Sequence, residues 1–172
     1  MIARRLARLL VVALLLGACA SGAGGTKAAS TRSRSAPVAF AYGLPGGGVL
    51  DGAGTRGRVT ALLFVTTFDL PSQVMARRLD DAFRRHRPRI NAGAVAIEAP
   101  NAAPLVEVFR STLGLGYPVA LTATGAEDGG PFGTVDRVPL LIVLDRRGRE
   151  VSRHAGVLEP EVLEAALTEA SR

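Results

Sequence analysis

Residues 59–66, which read Val-Thr-Ala-Leu-Leu-Phe-Val-Thr, decide how the rest of this chain is interpreted. The run is short, apolar and rich in β-branched residues, which is typical of a strand buried on both faces. A turn follows, and from Pro71 onward apolar side chains recur every three or four positions, which predicts a helix over 71–86. In an open α/β sheet, sites form where strands end and helices begin. We therefore expect chemistry at residues 67–73, yet they include no cysteine, histidine or lysine.

The remaining patterns predict alternating strands and helices that end in a hairpin and a helix. Weak alternation at 38–42 predicts a first edge strand, and the glycine-rich residues 43–57 predict an irregular hairpin. Further strands are expected at 92–98, 117–122, 140–144 and 150–154, and further helices at 101–113, capped by Asn101, and at 160–170. The last two strands are joined so tightly that antiparallel pairing is favoured. This order predicts a three-layer α/β domain.

The first 37 residues have the pattern of an export leader and a tether. Three arginines precede an apolar run at 9–16, which is too short to span a bilayer but suits a signal-peptide core. The run ends in Leu16-Gly17-Ala18-Cys19, which resembles the lipobox of bacterial lipoproteins, where the cysteine receives a lipid. We predict a signal peptide at 1–18, lipid attachment at Cys19, a flexible tether at 19–37 and a domain at 38–172. An ordinary secretory signal with a chance cysteine is the alternative.

The distribution of charge and the number of cysteines narrow the range of possible functions. The formal net charge is +6, but all of the excess lies in the leader and tether, and the domain from Val38 carries equal numbers of basic and acidic residues. The positive net charge is therefore no argument that the domain binds nucleic acid. Cys19 is the single cysteine, so a lipidated chain has no thiol left for redox chemistry. By resemblance to the sorting rule of Gram-negative envelopes, Ala20 favours an outer-membrane location that faces the periplasm.

One long segment carries a specific resemblance. Residues 138–151 read Val-Pro-Leu-Leu-Ile-Val-Leu-Asp-Arg-Arg-Gly-Arg-Glu-Val and lead to His154-Ala155-Gly156. Together with the Thr-Phe pair at 67–68, this segment resembles the thioredoxin superfamily, closest to the membrane-anchored bacterial thiol:disulfide reductases of the TlpA type. The resemblance covers roughly residues 38–170. It implies a thioredoxin-like fold, in which a central mixed sheet has helices on both faces and ends in a C-terminal β-hairpin plus helix.

The same resemblance shows a departure at the redox turn. The family carries Thr/Ser-Trp-Cys-x-x-Cys where this chain has Thr67-Phe68-Asp69-Leu70-Pro71-Ser72. Asp69 and Ser72 thus fall at the two cysteine positions, and a carboxylate and a hydroxyl cannot exchange with a disulfide. We expect the two residues to cap the helix that follows. A site for an anion and a serine nucleophile are the alternatives.

The resemblance also implies that Val138-Pro139 is a cis-proline pair facing this turn, where family members hold the substrate backbone. With the thiols absent, Phe68, Leu70, Val138 and Pro139 would form a shallow apolar groove for an extended peptide. The alternative is that the proline only maintains the geometry of the fold.

The histidines and arginines point to no second site. His86 is expected about four helical turns from the 67–72 turn, and His154 lies on a predicted edge strand with a partly exposed side chain. Two isolated histidines without a cysteine predict no metal, and we expect no cofactor. Six arginines between 77 and 89 alternate with two aspartates at helix-pair spacings, which indicates a solvated face. Contact with anionic lipid or polysaccharide is the alternative for this face.

A binding module is favoured over an enzyme. We expect an envelope lipoprotein whose redox-inactive thioredoxin-like domain is an adaptor or chaperone-like partner of an envelope protein or extended peptide, held at the membrane by its lipid. One alternative is a thiol:disulfide oxidoreductase in envelope redox homeostasis whose partner supplies the thiols. The other is a hydrolase that uses Ser72 as its nucleophile.

Overall fold

The computed structural model describes residues 36–123 and 129–172, and in it the apolar run is a fully buried strand. The strands are β1 (Ala41–Gly43), β2 (Val49–Asp51), β3 (Val59–Val65), β4 (Ile90–Ala96), β5 (Val119–Leu121), β6 (Leu140–Leu144) and β7 (Glu150–Ala155). The helices are α1 (Leu70–His86), α2 (Ala103–Thr112) and α3 (Pro160–Ala170). The predicted signal peptide, Cys19 and nearly all of the tether lie outside the described residues.

The seven strands form one mixed sheet in the order β2-β1-β5-β4-β3-β6-β7. β3 pairs in parallel with β4 and antiparallel with β6, and β6 pairs antiparallel with β7. The sequence prediction of a mixed sheet that ends in a β-hairpin and a helix is therefore confirmed. None of the helices in the described residues is long and apolar enough to cross a membrane.

The side chains of β3 alternate between two cores on opposite faces of the sheet. Its odd-numbered residues pack with the apolar faces of all three α-helices, whereas Leu62 and Phe64 belong to the second core. The connections from β3 to β4 and from β4 to β5 run in the same direction across the sheet. Because such crossovers are right-handed, α1 and α2 lie on the same face.

The second core is covered by a thinner layer than the first. Val38 and Phe40 cover it from the segment that leads into β1, and a 3-10 turn at Gly130–Phe132 completes the cover. The ring of Phe132 is 1% exposed and lies 5.5 Å from the ring of Phe40. The three-layer prediction is confirmed, but of the helices in the described residues only this 3-10 turn lies on the second face.

Hydrogen bonds hold this outer segment against the sheet at two points. The hydroxyl of Tyr42 donates to the backbone oxygen of Gly129 at 2.7 Å. Nη2 of Arg153, on β7, donates to the backbone oxygen of Phe132 at 2.9 Å. The segment that leads into β6 therefore has a fixed path over the second core.

Two local expectations were wrong. The predicted edge strand at 38–42 is shorter and begins at Ala41, and β1 lies between β2 and β5, so that β2 forms the edge. Asn101 does not cap α2 but lies inside a 3-10 turn at Pro100–Ala102, and α2 begins without a side-chain cap. A proline in the first turn of each element removes one of the N–H groups that a cap would otherwise satisfy.

Phe132→Ala tests whether the 3-10 turn seals the second core. We expect the free energy of unfolding to fall by about 3–5 kcal/mol, because the variant leaves a cavity where a large ring was fully buried. Phe68→Ala is the matched control, since Phe68 is 79% exposed, and it should change stability by less than about 0.5 kcal/mol. Urea denaturation measures both values. Equal stability of the two variants would show that the turn does not seal this core.

Candidate functional site

The 67–72 turn lies at the carboxyl end of β3, where Asp69 is the N-cap of α1. Its backbone is extended, with φ −102° and ψ 141°, and its Oδ1 accepts a hydrogen bond from the backbone N–H of Ser72 at 2.7 Å. Pro71 lies in the first helical turn, where its missing N–H costs nothing. Asp69 is thus the helix cap that the sequence predicts, and its carboxylate lies at the positive end of the helix dipole.

Ser72 is completely buried and is bonded on both sides. Its Oγ donates to Oδ2 of Asp69 at 2.7 Å and accepts from the backbone N–H of Thr66 at 3.2 Å. The hydroxyl of Thr66 donates to the same Asp69 oxygen. The carboxylate therefore accepts from two hydroxyls and one backbone N–H, so this network is closed within the turn.

The network shields the Ser72 hydroxyl. Ser72 is completely buried, and its hydroxyl donates to the Asp69 carboxylate rather than to a histidine. His86 lies at the far end of α1, where its Nε2 is 2.5 Å from Oε2 of Glu164. His154 is on edge strand β7, and partial burial lowers the pKa of its imidazole. The structure brings neither histidine to the turn, as the sequence indicates.

Glu98 is a site residue that sequence reasoning missed. Its Oε1 accepts from the backbone N–H of Thr67 at 2.6 Å and from the hydroxyl of Thr67 at 2.7 Å. Its other oxygen, Oε2, is buried and has no hydrogen-bond partner in the described part of the chain. The available signal was its position directly after a buried strand, because parallel neighbours such as β3 and β4 end at the same edge of a sheet.

The turn itself carries two exposed apolar side chains. Phe68 is 79% exposed and Leu70 is 69% exposed, which is unusual for such large apolar residues. Phe68 lines a cavity of 320 Å³ whose other wall is α2, and there Leu105 and Val108 are each 59% exposed. The cavity beside Phe68 therefore opens toward α2, which the sequence did not predict as part of the site.

The Val138–Pro139 peptide bond is cis. The β3–β6 ladder ends at the pair Phe64–Leu140, so the register places the cis bond at the same end of the sheet as the 67–72 turn. Pro139 is buried and Val138 is partly buried, so the proline ring itself offers little surface. A shared groove between Val138, Phe68 and Leu70 stays a prediction.

No group of three or more His, Cys, Asp or Glu side chains in residues 36–123 and 129–172 is placed to hold a metal ion. The two carboxylates nearest the turn, those of Asp69 and Glu98, are each engaged by hydroxyl and backbone N–H donors. Both carboxylates thus hold the turn by hydrogen bonds, beside the exposed side chains of Phe68 and Leu70.

Solved structures of bacterial thiol:disulfide proteins share this architecture. A DsbF homologue from Corynebacterium diphtheriae is 13% identical with a TM-score of 0.72 over 86% of this chain and 96% of its own. A thiol:disulfide interchange protein of the thioredoxin family from Chlorobium tepidum is 17% identical with a TM-score of 0.66, over 80% and 97%. A secreted Mycobacterium tuberculosis disulfide oxidoreductase is 17% identical with a TM-score of 0.60, over 76% and 95%.

The chain therefore has the thioredoxin-like fold that these proteins share, and the predicted fold class is confirmed. No protein-family profile and no curated protein sequence matches the chain. At such low identities the likeness establishes the fold, and the residues of the turn have to carry any conclusion about function.

Asp69→Ala tests whether the network at the turn stabilises the domain. We expect a loss of about 1–2 kcal/mol in the free energy of unfolding, because the helix loses its cap and the buried Ser72 hydroxyl loses its acceptor. Asp81→Ala is the matched control, since Asp81 is exposed in the middle of the same helix, and it should change stability by less than about 0.5 kcal/mol. Chemical denaturation compares them. If both variants are equally stable, the cap contributes nothing.

Proposed function

We propose that this chain is an extracytoplasmic lipoprotein, anchored through Cys19, whose redox-inactive thioredoxin-like domain binds an extended segment of an envelope protein. Its role would be that of an adaptor or chaperone-like module. The observation that carries the proposal is the closed Asp69–Ser72 network at the start of α1, beside the exposed side chains of Phe68 and Leu70.

Redox inactivity follows from what a thiol:disulfide exchange requires. The attacking group is a thiolate, and a second thiol resolves the mixed disulfide. The sequence has no cysteine after Cys19. A carboxylate and a hydroxyl that are already hydrogen-bonded to each other gain stability from the helix N-terminus without acquiring any reactivity toward sulfur.

The exposed apolar residues support binding. Fully burying a side chain of the size of phenylalanine or leucine is worth about 1.5–3 kcal/mol, and Phe68 and Leu70 are both available for a partner. The 320 Å³ cavity beside Phe68 is large enough to receive a partner's side chain, and Thr67 and Gln73 place polar atoms on its wall. An apolar cavity with a few polar groups is the usual form of a specific binding site.

The backbone near the cis bond supports an extended ligand. Among the described residues, nothing forms a hydrogen bond with the backbone N–H or C=O of Val138. An unpaired donor and acceptor beside the last pair of a β-ladder can be satisfied by one residue of an extended peptide. The peptide would then run past Val138 toward Phe68.

Phe68→Ala tests this binding role. Crosslinking pull-downs from detergent-solubilised envelopes would compare the native chain, Phe68→Ala and Val49→Ala. Val49 is the matched control because it is 59% exposed on edge strand β2. We expect recovery of the specific partner to fall at least about tenfold in Phe68→Ala, as for the loss of an aromatic hot spot, and to be unchanged in Val49→Ala. Equal recovery with all three chains would contradict a binding role for the turn.

An insulin-reduction assay on the native chain tests redox inactivity separately. We expect only the background rate, both for the chain alone and in the presence of the captured partner. Catalytic reduction by the chain alone would overturn redox inactivity. Reduction that needs both the chain and its partner would favour the alternative in which the partner supplies the thiols.

A further inference from the structure

A second concave site lies at the end of the sheet opposite to the 67–72 turn. It is a cavity of 520 Å³ whose lining includes Arg58, Arg89 and Arg146, which come from three separate segments. Arg58 immediately precedes β3, Arg89 immediately precedes β4, and Arg146 lies in the β6–β7 connection. The register brings them together, because the parallel strands β3 and β4 begin at this end and the antiparallel strand β6 finishes there.

The three arginines have no acidic partner among residues 36–123 and 129–172. All three are exposed, and none of their side chains makes an ion pair or a hydrogen bond with another residue in the described ranges. The nearby acids are already neutralised. Glu164 accepts hydrogen bonds from Arg85 and His86, and Asp145 accepts them from Arg149.

The helix ends at this pole do not cancel the three charges. α1 and α3 both finish here, and each carboxyl end contributes a partial charge of about −0.5. The last turn of α1 carries its own basic residues, which offset its end. The cavity therefore keeps an excess of positive charge, and Thr168 and Ser171 complete part of its lining.

The tether enters the domain at this same pole. The backbone N–H of Val38 donates to the backbone oxygen of Gly148 at 2.8 Å, and the N–H of Gly57 donates to that of Arg146 at 2.9 Å. Pro37 is 18 positions after Cys19. If the tether is the flexible coil that its composition predicts, its root-mean-square span is about 21–25 Å, and an anchor at Cys19 would hold this pole within about one domain diameter of the bilayer.

We propose that the cavity of Arg58, Arg89 and Arg146 binds the phosphodiester headgroup of an anionic phospholipid in the membrane that carries the anchor. Guanidinium groups suit this ligand because each can donate two parallel hydrogen bonds to phosphate oxygens. Docking here directs the 67–72 turn away from the membrane. The assignment to a membrane lipid, and not to free phosphate, rests on the proposed lipid anchor.

Hydrogen exchange on the full lipidated chain tests this docking. The chain would be reconstituted in phosphatidylcholine vesicles alone, in vesicles that also contain phosphatidylglycerol, and in phosphatidylcholine vesicles with added inorganic phosphate. We expect backbone exchange at 56–58 and 145–149 to slow at least about fivefold with phosphatidylglycerol only, which is the effect of one basic residue near an anionic surface. No slowing with phosphatidylglycerol overturns the proposal, and equal slowing with inorganic phosphate overturns the assignment to lipid.

A charge-matched pair of variants completes the test. Arg58→Gln/Arg89→Gln/Arg146→Gln should lose the protection by phosphatidylglycerol. Arg77→Gln/Arg110→Gln/Arg137→Gln, which removes two exposed arginines and the partly exposed Arg110 elsewhere, should keep it. If phosphatidylglycerol protects the two variants to the same extent, the protection depends on the total charge of the chain, and the cavity is not the site. If the native chain fails to float with phosphatidylcholine vesicles, the anchor is wrong, and the phosphatidylglycerol comparison still tests the cavity by itself.

Discussion

The burial of β3 on both faces is the constraint on which the rest of this domain depends. All seven of its side chains are buried, and its alternation supplies a wall to each of two cores. Because β4 runs parallel to it and β6 antiparallel, the two ends of β3 also become the two poles of the molecule. The turn and the cis bond lie at its carboxyl end, and the unpaired arginines lie at its amino end.

At the carboxyl pole, the start of α1 offers the same electrostatic environment to any side chain placed there. A thiol in this position would become a more reactive thiolate, because the helix dipole favours its charged form. A carboxylate is already charged, and Asp69 instead uses the same field to hold Ser72 and Thr66 in place. Glu98 then fixes the turn from the neighbouring strand. The result is a hydrogen-bonded support beneath Phe68.

Sequence patterns predicted those parts of the fold that depend on local periodicity. The buried strand at 59–65 follows from an unbroken apolar run, helix α1 from apolar spacings of three and four, and the final hairpin from a tight connection. The thioredoxin-like fold class follows from the family resemblance of one long segment. The cap at Asp69 could also be predicted from local sequence, because a capping side chain bonds to a backbone N–H only three positions away.

Features that depend on tertiary contacts could not be predicted in the same way. The layer over the second core consists of loop and a 3-10 turn, which have no periodicity that reveals their packing. Glu98 and the α2 residues Leu105 and Val108 join the turn only because the sheet order brings them there. The arginines of the cavity come from three loops that are far apart in sequence. Because the domain has equal numbers of basic and acidic residues, its net charge does not reveal this local excess of positive charge.

The segment before β6 follows a fixed path, and this affects how much conformational entropy the domain would lose on binding. Tyr42 holds its beginning, Arg153 holds its middle, and Phe132 is buried against the sheet. In the proposed binding mode, the wall that carries Val138 is already held by these contacts, so the conformational entropy lost on association falls mainly on the incoming chain. Such preorganisation rewards ligands that are already extended in solution and penalises those that must first unfold a helix, whatever side chains they carry.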